Sequence, residues 1–327
     1  MKKIIFFNFF FTILIIFTLE LLANFLKISN LMGVDSELIN TNNENHITYK
    51  KNSTGLIFNN RIFTDQYGFR IPQPVISKSD FKYNKNQSII LYGDSVTFGN
   101  GIDEEFTFAG LLRKKFIDKN IYNISLPGYQ INNHINNLFY LDELKNVNKI
   151  IYFYTLNDID PNINIKEKDI EKQQNKNIFE TLKKNTVLKK INHFLRDHSY
   201  LYLFIKGVAS DPSKRWFLQD YKMYANLTYL ENKFLILRKR SAKDGIDLKI
   251  FILPYEYQTR VDKCNKNNLK PQTKVREVLI KLNINFEDLT EKFCDNKNPK
   301  SLFYKFDPMH LSKKGHQFVY NLIKNEI

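Results

Sequence analysis

From residue 87 onward the apolar pattern switches repeatedly between the period of a strand and that of a helix, and this alternation limits the chain to one architectural class. "SIILYGDS" reads as a strand, "EEFTFAGLLRKKFIDK" as an amphipathic helix, "NIYNISLPG" as a strand, "NNHINNLFYLDELKNV" as a helix and "KIIYFYTLND" as a strand. The pattern resumes with a helix through "YANLTYLENKFLILRKRSAKDG", a strand "DLKIFILP", a helix "KPQTKVREVLIKL", a short strand "INFEDLT" and a last helix from about Ser312. Strand and helix in strict turn mean a parallel sheet covered on both faces. Residues 162–218 interrupt the alternation with a Lys/Asn-rich linker and a helix, "TVLKKINHFLRDHSYLYLFIK". The basic and aromatic faces of this helical insertion suit either packing on the domain, the commoner use of such a pattern, or a membrane surface. Residues 30–86 read as an extended polar approach segment with one marked turn, "TDQYGFRIP". There is no internal repeat.

The amino terminus sets the compartment. Lys2 and Lys3 precede "IIFFNFFFTILIIFTLELLANFL", residues 4–26; as a helix this stretch spans about 35 Å, enough to cross a bilayer. Leu21 spoils the small-x-small cleavage pattern around Ala23, which favours an uncleaved anchor, with residues 1–29 as the anchor unit, over a cleaved signal peptide and secretion. The positive-inside tendency keeps Lys2 and Lys3 in the cytoplasm and sends residues from about 30 onward across the membrane. Glu20 then lies towards the outer interface, where a carboxylate is less costly than at mid-membrane. The two cysteines, Cys264 and Cys294, fall in the exported part; the compartment allows a disulfide, and the sequence leaves their pairing open. The formal charge of +15 comes from Lys scattered with Asn along the whole chain. Without a basic stripe or a zinc or RNA-binding motif it gives no ground for nucleic-acid binding.

In a doubly wound sheet, ligands bind outside the carboxyl ends of the strands, near the point where strand order reverses. Three loops should open there: Gly93-Asp94-Ser95, Pro127-Gly128-Tyr129 and Leu156-Asn157-Asp158. Just before the terminal helix, "DPMHLSKKGH" places Asp307 and His310 three residues apart. That spacing lets a carboxylate hold one ring nitrogen of the His while the other takes a proton. Taken singly, each motif is an ordinary turn or helix cap; together, at the ends of successive strands, they point to nucleophilic catalysis. The phosphate-loop reading of "GDSVTFGNG" fails because no Lys-Ser/Thr follows, and the α/β-hydrolase elbow fails because Thr97 stands at its second Gly position. His316 lies in the terminal helix pattern without an Asp three residues before it, and His46, His134, His193 and His198 have no comparable partner spacing.

Gly-Asp-Ser, then a Gly after strand two, Asn-Asp after strand three and Asp-x-x-His near the end resemble the SGNH (GDSL) hydrolase superfamily over residues 87–320. "YGFR", "GDSVTFGNGID", "EEFTF" and "DPMHLSKKGH" are most similar to its membrane-anchored bacterial members in cell-envelope polysaccharide systems. The resemblance implies a flavodoxin-like three-layer α/β/α sandwich with a mostly parallel five-stranded sheet in residues 87–327. It makes Ser95 the nucleophile, His310 the general base and Asp307 its orienting acid. The oxyanion hole would be the N–H groups of Ser95 and Gly128 and the side-chain amide of Asn157. Family members often have Gly two residues before that Asn; here it is Thr155, which alters local backbone shape and pocket width. The implied activity is hydrolysis of an acyl ester, an O-acetyl group of an envelope carbohydrate, by a single-pass protein of the bacterial inner membrane with its domain outside the cytoplasm. Neither metal nor cofactor is implied, because triad and oxyanion donors complete the chemistry. The same residues would serve an O-acyltransferase. A non-catalytic glycan-binding or assembly protein would have no need of all three triad members.

Overall fold

The computed structural model describes residues 2–29, 31–41, 47–73, 87–159, 186–260 and 264–327. It opens with the apolar helix α1 (Lys2–Leu26), whose apolar side chains are largely exposed. Five short strands follow. β1 (Ile39–Thr41) pairs with β2 (Ile47–Tyr49), and β3 (Thr54–Ile57), β4 (Asn60–Thr64) and β5 (Arg70–Ile71) form a second antiparallel sheet. The central sheet contains β6 (Gln87–Tyr92), β7 (Lys119–Asn123), β8 (Val147–Tyr154), β9 (Asp247–Ile252) and β10 (Asn285–Asp288) in the order β10-β9-β8-β6-β7. Every pairing is parallel, and Tyr122, Ile90, Ile150 and Leu248 lie in register across four strands. β-Branched and aromatic runs explain the burial: Ile150 to Tyr154 in β8 and Ile89 to Tyr92 in β6 are inaccessible, as strands covered on both faces must be.

Helices cover the sheet in two groups. α2 (Ser95–Phe98) and α3 (Phe108–Lys115) follow β6; α4 (Thr186–His198), α5 (Tyr200–Ser210) and α6 (Pro212–Tyr221) form the described part of the insertion; α7 (Thr228–Lys243), α8 (Lys270–Lys281) and α9 (Lys313–Ile323) complete the domain. α3 packs against α9, and α7 against α8 and the helix Ile131–Asn136. The strand order is the flavodoxin-like one, with its switch point between β6 and β8.

Two expected helices are broken. The stretch after β7 splits into Ile131–Asn136, a 3₁₀ turn at Asn137–Phe139 and Tyr140–Glu143, as suits an Asn-rich sequence whose side chains compete for backbone bonds. The insertion helix divides at Ser199, whose hydroxyl accepts the Tyr202 N–H to start α5 afresh. The insertion's earlier residues, 162–185, lie outside the described residues. Glu20 in α1 completes the second start: its carboxylate accepts from the Ser199 hydroxyl and from the N–H groups of Tyr200 and Leu201, at 2.6, 2.7 and 3.1 Å. A charge in an apolar helix thus meets two orphan N–H groups of another helix's first turn and the hydroxyl of its capping residue.

The approach segment is folded onto the domain. Leu38, Tyr49, Ile57 and Ile62 share an apolar cluster with Phe98, Leu126 and Tyr129 of the loops after β6 and β7. Cys264 and Cys294 form a disulfide, with Cα atoms 6.0 Å apart across 30 residues. Closing a loop of that length is worth about 3–4 kcal/mol through the unfolded chain. Replacing both cysteines by Ser should lower the unfolding free energy by about that amount in denaturant titrations of the full chain; unchanged stability would mean that the bridge does not constrain the unfolded state.

Candidate active site

The site forms where β6 ends. A Cβ on Gly93 would lie 2.1 Å from Thr97 Oγ1 and 3.1 Å from the Phe153 carbonyl oxygen, so only Gly fits the tight exit from the strand. Asp94 then caps α2: its Oδ1 accepts the Val96 N–H at 2.8 Å. Ser95 is the first helical residue and is 7% exposed.

His310 arrives from a loop closed at its base. Phe303 bridges Leu311, the Tyr304 N–H donates to the His310 carbonyl at 3.0 Å, and the Tyr304 hydroxyl reaches the Gly101 carbonyl at 2.5 Å. Inside the loop, Asp307 Oδ1 accepts the N–H groups of Met309 and His310 at 2.9 and 2.8 Å. Its Oδ2 lies 2.8 Å from His310 Nδ1, and His310 Nε2 lies 2.8 Å from Ser95 Oγ. A carboxylate at Nδ1 assigns the proton there, which leaves Nε2 to accept from the Ser95 hydroxyl. Burial disfavours the charged imidazole, but the charge and hydrogen bond of Asp307, with Asp94 beyond, hold its pKa above the ordinary histidine value.

Asn157 stands in the 3₁₀ turn after β8. Its Nδ2 donates to Asp94 Oδ2 at 2.8 Å, an oxygen 3.4 Å from Ser95 Oγ. Thr155 Oγ1 sits 2.7 Å from Asn157 Oδ1 and 3.0 Å from Asp158 Oδ1. Thr155 therefore fixes which way the amide faces. Asp158 is inaccessible; burial, reinforced by the charge of Asp94, holds its carboxyl well above the usual carboxylate range. The third expected donor lies in a type II turn, with the Tyr129 N–H bonded to the Leu126 carbonyl at 3.0 Å and Pro127 and Gly128 between them. Gly128 has φ +82°, is exposed, and has open space where a side chain would stand.

Two further residues brace the site. The Phe58 ring meets the His310 ring edge to face, with centroids 5.4 Å apart. It is carried there by the β3–β4 hairpin, where Ile57 pairs with Asn60 and Phe58 and Asn59 take φ of 50° and 61°, a type I′ turn. Alternating "TGLIFNNRIFT" around an Asn pair is a hairpin signal, but nothing local says which side chain its tip delivers to a His 252 positions away. Arg70 of "YGFR" is the second. It is buried and donates to the carbonyls of Phe98 and Gly99 at 2.7 Å each, and to that of Ile102. Those carbonyls belong to the last residue of α2 and to the turn after it, so Arg70 pins the segment behind Ser95.

The other histidines lie apart from this chemistry. His316 Nδ1 accepts the Phe108 N–H at 3.3 Å, and burial, aided by Arg70 and His310, pushes its pKa down to about 3. Burial among tyrosines does the same for His134. His193 and His198 are exposed on α4, and His46 lies outside the described residues.

No family model and no curated protein matches the chain. Solved structures similar to it include a lipase/acylhydrolase from Enterococcus faecalis (14% identity, 74% of this chain and 95% of that one, TM-score 0.42). Also similar are a putative lipolytic protein of the G-D-S-L family from Desulfitobacterium hafniense (13%, 74% and 100%, 0.44) and an acetyl xylan esterase (16%, 73% and 99%, 0.43). These likenesses are remote, and the functional reading rests on the geometry of Ser95, His310 and Asp307.

That geometry has a direct consequence for titration. Asp307→Asn removes the charge that raises His310, so the imidazole pKa should fall in the variant, read by NMR of labelled His. A pKa that stays or rises would contradict the pairing.

Proposed function

We propose that the chain is a membrane-anchored serine esterase of the SGNH (GDSL) type, acting outside the cytoplasm on O-acetyl groups of an envelope carbohydrate. The observation that carries the hydrolytic reading is the unbroken chain of hydrogen bonds from Asp307 through His310 to Ser95, each 2.8 Å long. A Ser hydroxyl is a weak nucleophile at neutral pH, and a neutral imidazole in contact with it takes the proton as the oxygen attacks. The charge that forms on His310 is stabilised by Asp307.

In the first half-reaction Ser95 Oγ adds to the ester carbonyl while its proton passes to His310 Nε2. The oxyanion is received by the N–H groups of Ser95 and Gly128 and by the Asn157 amide, each such donor typically worth about 10²–10³ in rate. His310 then protonates the departing sugar oxygen, leaving an acyl-Ser95. Water attacks this ester with His310 as base; collapse releases acetate and restores the Ser95 hydroxyl. Since His310 acts in its neutral form and its pKa is raised, the acidic limb of activity is shifted upward from that of an ordinary histidine.

The anchor reading draws on α1, whose length and apolar composition suffice to span a bilayer, and on Lys2 and Lys3 ahead of it. The Cys264–Cys294 disulfide suits an oxidising compartment outside the cytoplasm. The carbohydrate substrate follows from that topology and from the sequence resemblance.

Hydrolysis of an aryl acetate by the full chain in neutral detergent tests the mechanism. Ser95→Ala should lower kcat/KM by about 10³-fold or more with little change in thermal unfolding; a variant as fast as the parent would remove Ser95 from the reaction. Acetate release without an acceptor marks an esterase, whereas transfer only in the presence of glycan marks an acyltransferase.

A further inference from the structure

Beside Asp307, the insertion helices and the segment after α1 line a cleft of about 100 Å³. Asp307 and Pro308 form its inner wall, and Ser29 and Met32 its edge nearest the anchor. Four cations line it: Arg196 of α4, Lys206 of α5, Arg215 of α6 and Lys305 of the catalytic loop. None of them has a carboxylate partner among the described residues. Arg196 donates to Met32 Sδ at 3.0 Å, Lys206 to Asn192 Oδ1 at 2.8 Å, and Lys305 lies over the Phe204 and Phe306 rings. Asp211, the nearby acid at the start of α6, is engaged by Arg260. Burial lowers the Lys206 pKa, and the positive charges of Arg196 and Arg215 lower it further. The one acid on the cleft wall, Asp307, is already bonded to His310, so four cations face a space in which an anion would be stabilised.

The depth of the cleft identifies where that anion comes from. Glu20 lies about 24 Å along a helix begun at Ile4, within about 6 Å of the far boundary of a hydrocarbon core about 30 Å thick. With residues 4–26 as the anchor, the first turn of α5, held by Glu20, would start near that boundary and place α4 and α6 alongside the lipid head groups. Their exposed side chains match such a layer: Ile191 and Phe194 on α4, Ile205 and Val208 on α5, and Trp216 on α6.

We propose that the cleft formed by Arg196, Lys206, Arg215 and Lys305 binds the phosphate head group of an anionic phospholipid from the leaflet facing the catalytic domain, seating the insertion helices in the membrane surface beside the triad. The inference rests on residues 4–26 being an anchor and is independent of the hydrolytic reading. The head group enters from the Ser29–Met32 edge, its phosphate meets the guanidinium and ammonium groups, and its acyl chains run along the apolar side chains of α4 and α6.

Trp216 lines the cleft and is the only Trp in the chain, so its fluorescence reports occupancy directly. The full chain in neutral detergent is titrated with short-chain phosphatidylglycerol, with short-chain phosphatidylcholine and with inorganic phosphate. A saturable change in Trp216 emission is expected with phosphatidylglycerol, at a half-saturation at least tenfold below that of the other two. The exposed pair Arg215→Gln/Lys305→Gln should raise that half-saturation tenfold or more while leaving thermal unfolding unchanged. Equal responses to the two lipids, no saturation, or an unaffected variant would overturn the site; a phosphate response matching that of phosphatidylglycerol would overturn the lipid assignment. Alkaline extraction of membranes, run in parallel, tests the anchor alone: release of the parent chain would sink the anchor reading, whereas a retained chain with an unresponsive Trp216 would sink only the cleft.

Discussion

A hydrogen bond of 2.8 Å between Ser95 and His310 joins positions 215 residues apart, and the rest of the fold can be understood by what it takes to hold that contact. The two side chains come from opposite ends of the domain, one at the end of the first strand of the central sheet and one before the last helix. Parallel topology brings both to the same edge, because every strand of the sheet ends on it. The switch between β6 and β8 opens the crevice there. A free Ser and a free His would lose the contact to conformational entropy, so both are immobilised before they meet. Ser95 sits on a capped helical turn pinned behind by Arg70, and His310 in a loop closed by the Phe303–Leu311 bridge and filled by the Asp307 carboxylate.

The amino-terminal strands and the insertion act on the site from outside the sheet. The β3–β4 hairpin holds Phe58 against His310 with a bulky residue in the left-handed region, a conformation that persists only where its surroundings demand it. On the other side, Gly207 of α5 packs so closely on Phe306 that a Cβ would come within 2.3 Å of the ring. Phe306 directly precedes Asp307. A continuous set of contacts thus runs from Glu20 in the apolar helix, through α5, to Phe306 beside Asp307.

Much of this was legible in the residues themselves. The five strands of the central sheet, the parallel arrangement and the loops carrying Ser95, Gly128 and Asn157 follow from apolar periodicity and from Gly and Pro at strand ends. Asp307 and His310 could be paired because three residues of separation suffices for a carboxylate to reach Nδ1. His316 could be set aside by the same reasoning, and its burial against the Phe108 N–H agrees. What was not legible is long-range. Phe58 on His310, Glu20 on α5 and the cations of α4 to α6 around one cleft depend on how separate elements dock, for which no local periodicity exists. Arg70 was visible as part of a motif, but its three carbonyl partners lie some thirty residues on and become apparent only once the loop after α2 is in place. Thr155 stands out in the sequence only as a departure from Gly; that its hydroxyl meets the Asn157 amide becomes apparent once the turn after β8 is in place.

The central claim is that Ser95 is an activated nucleophile, and a reagent that needs no knowledge of the ester tests it most directly. The full chain is treated with a serine-directed fluorophosphonate and the modified peptide is mapped by mass spectrometry. An activated Ser95 predicts one phosphonylated residue, Ser95, with labelling abolished in His310→Ala. Labelling that falls on other serines, or that proceeds at Ser95 equally well without His310, would contradict it.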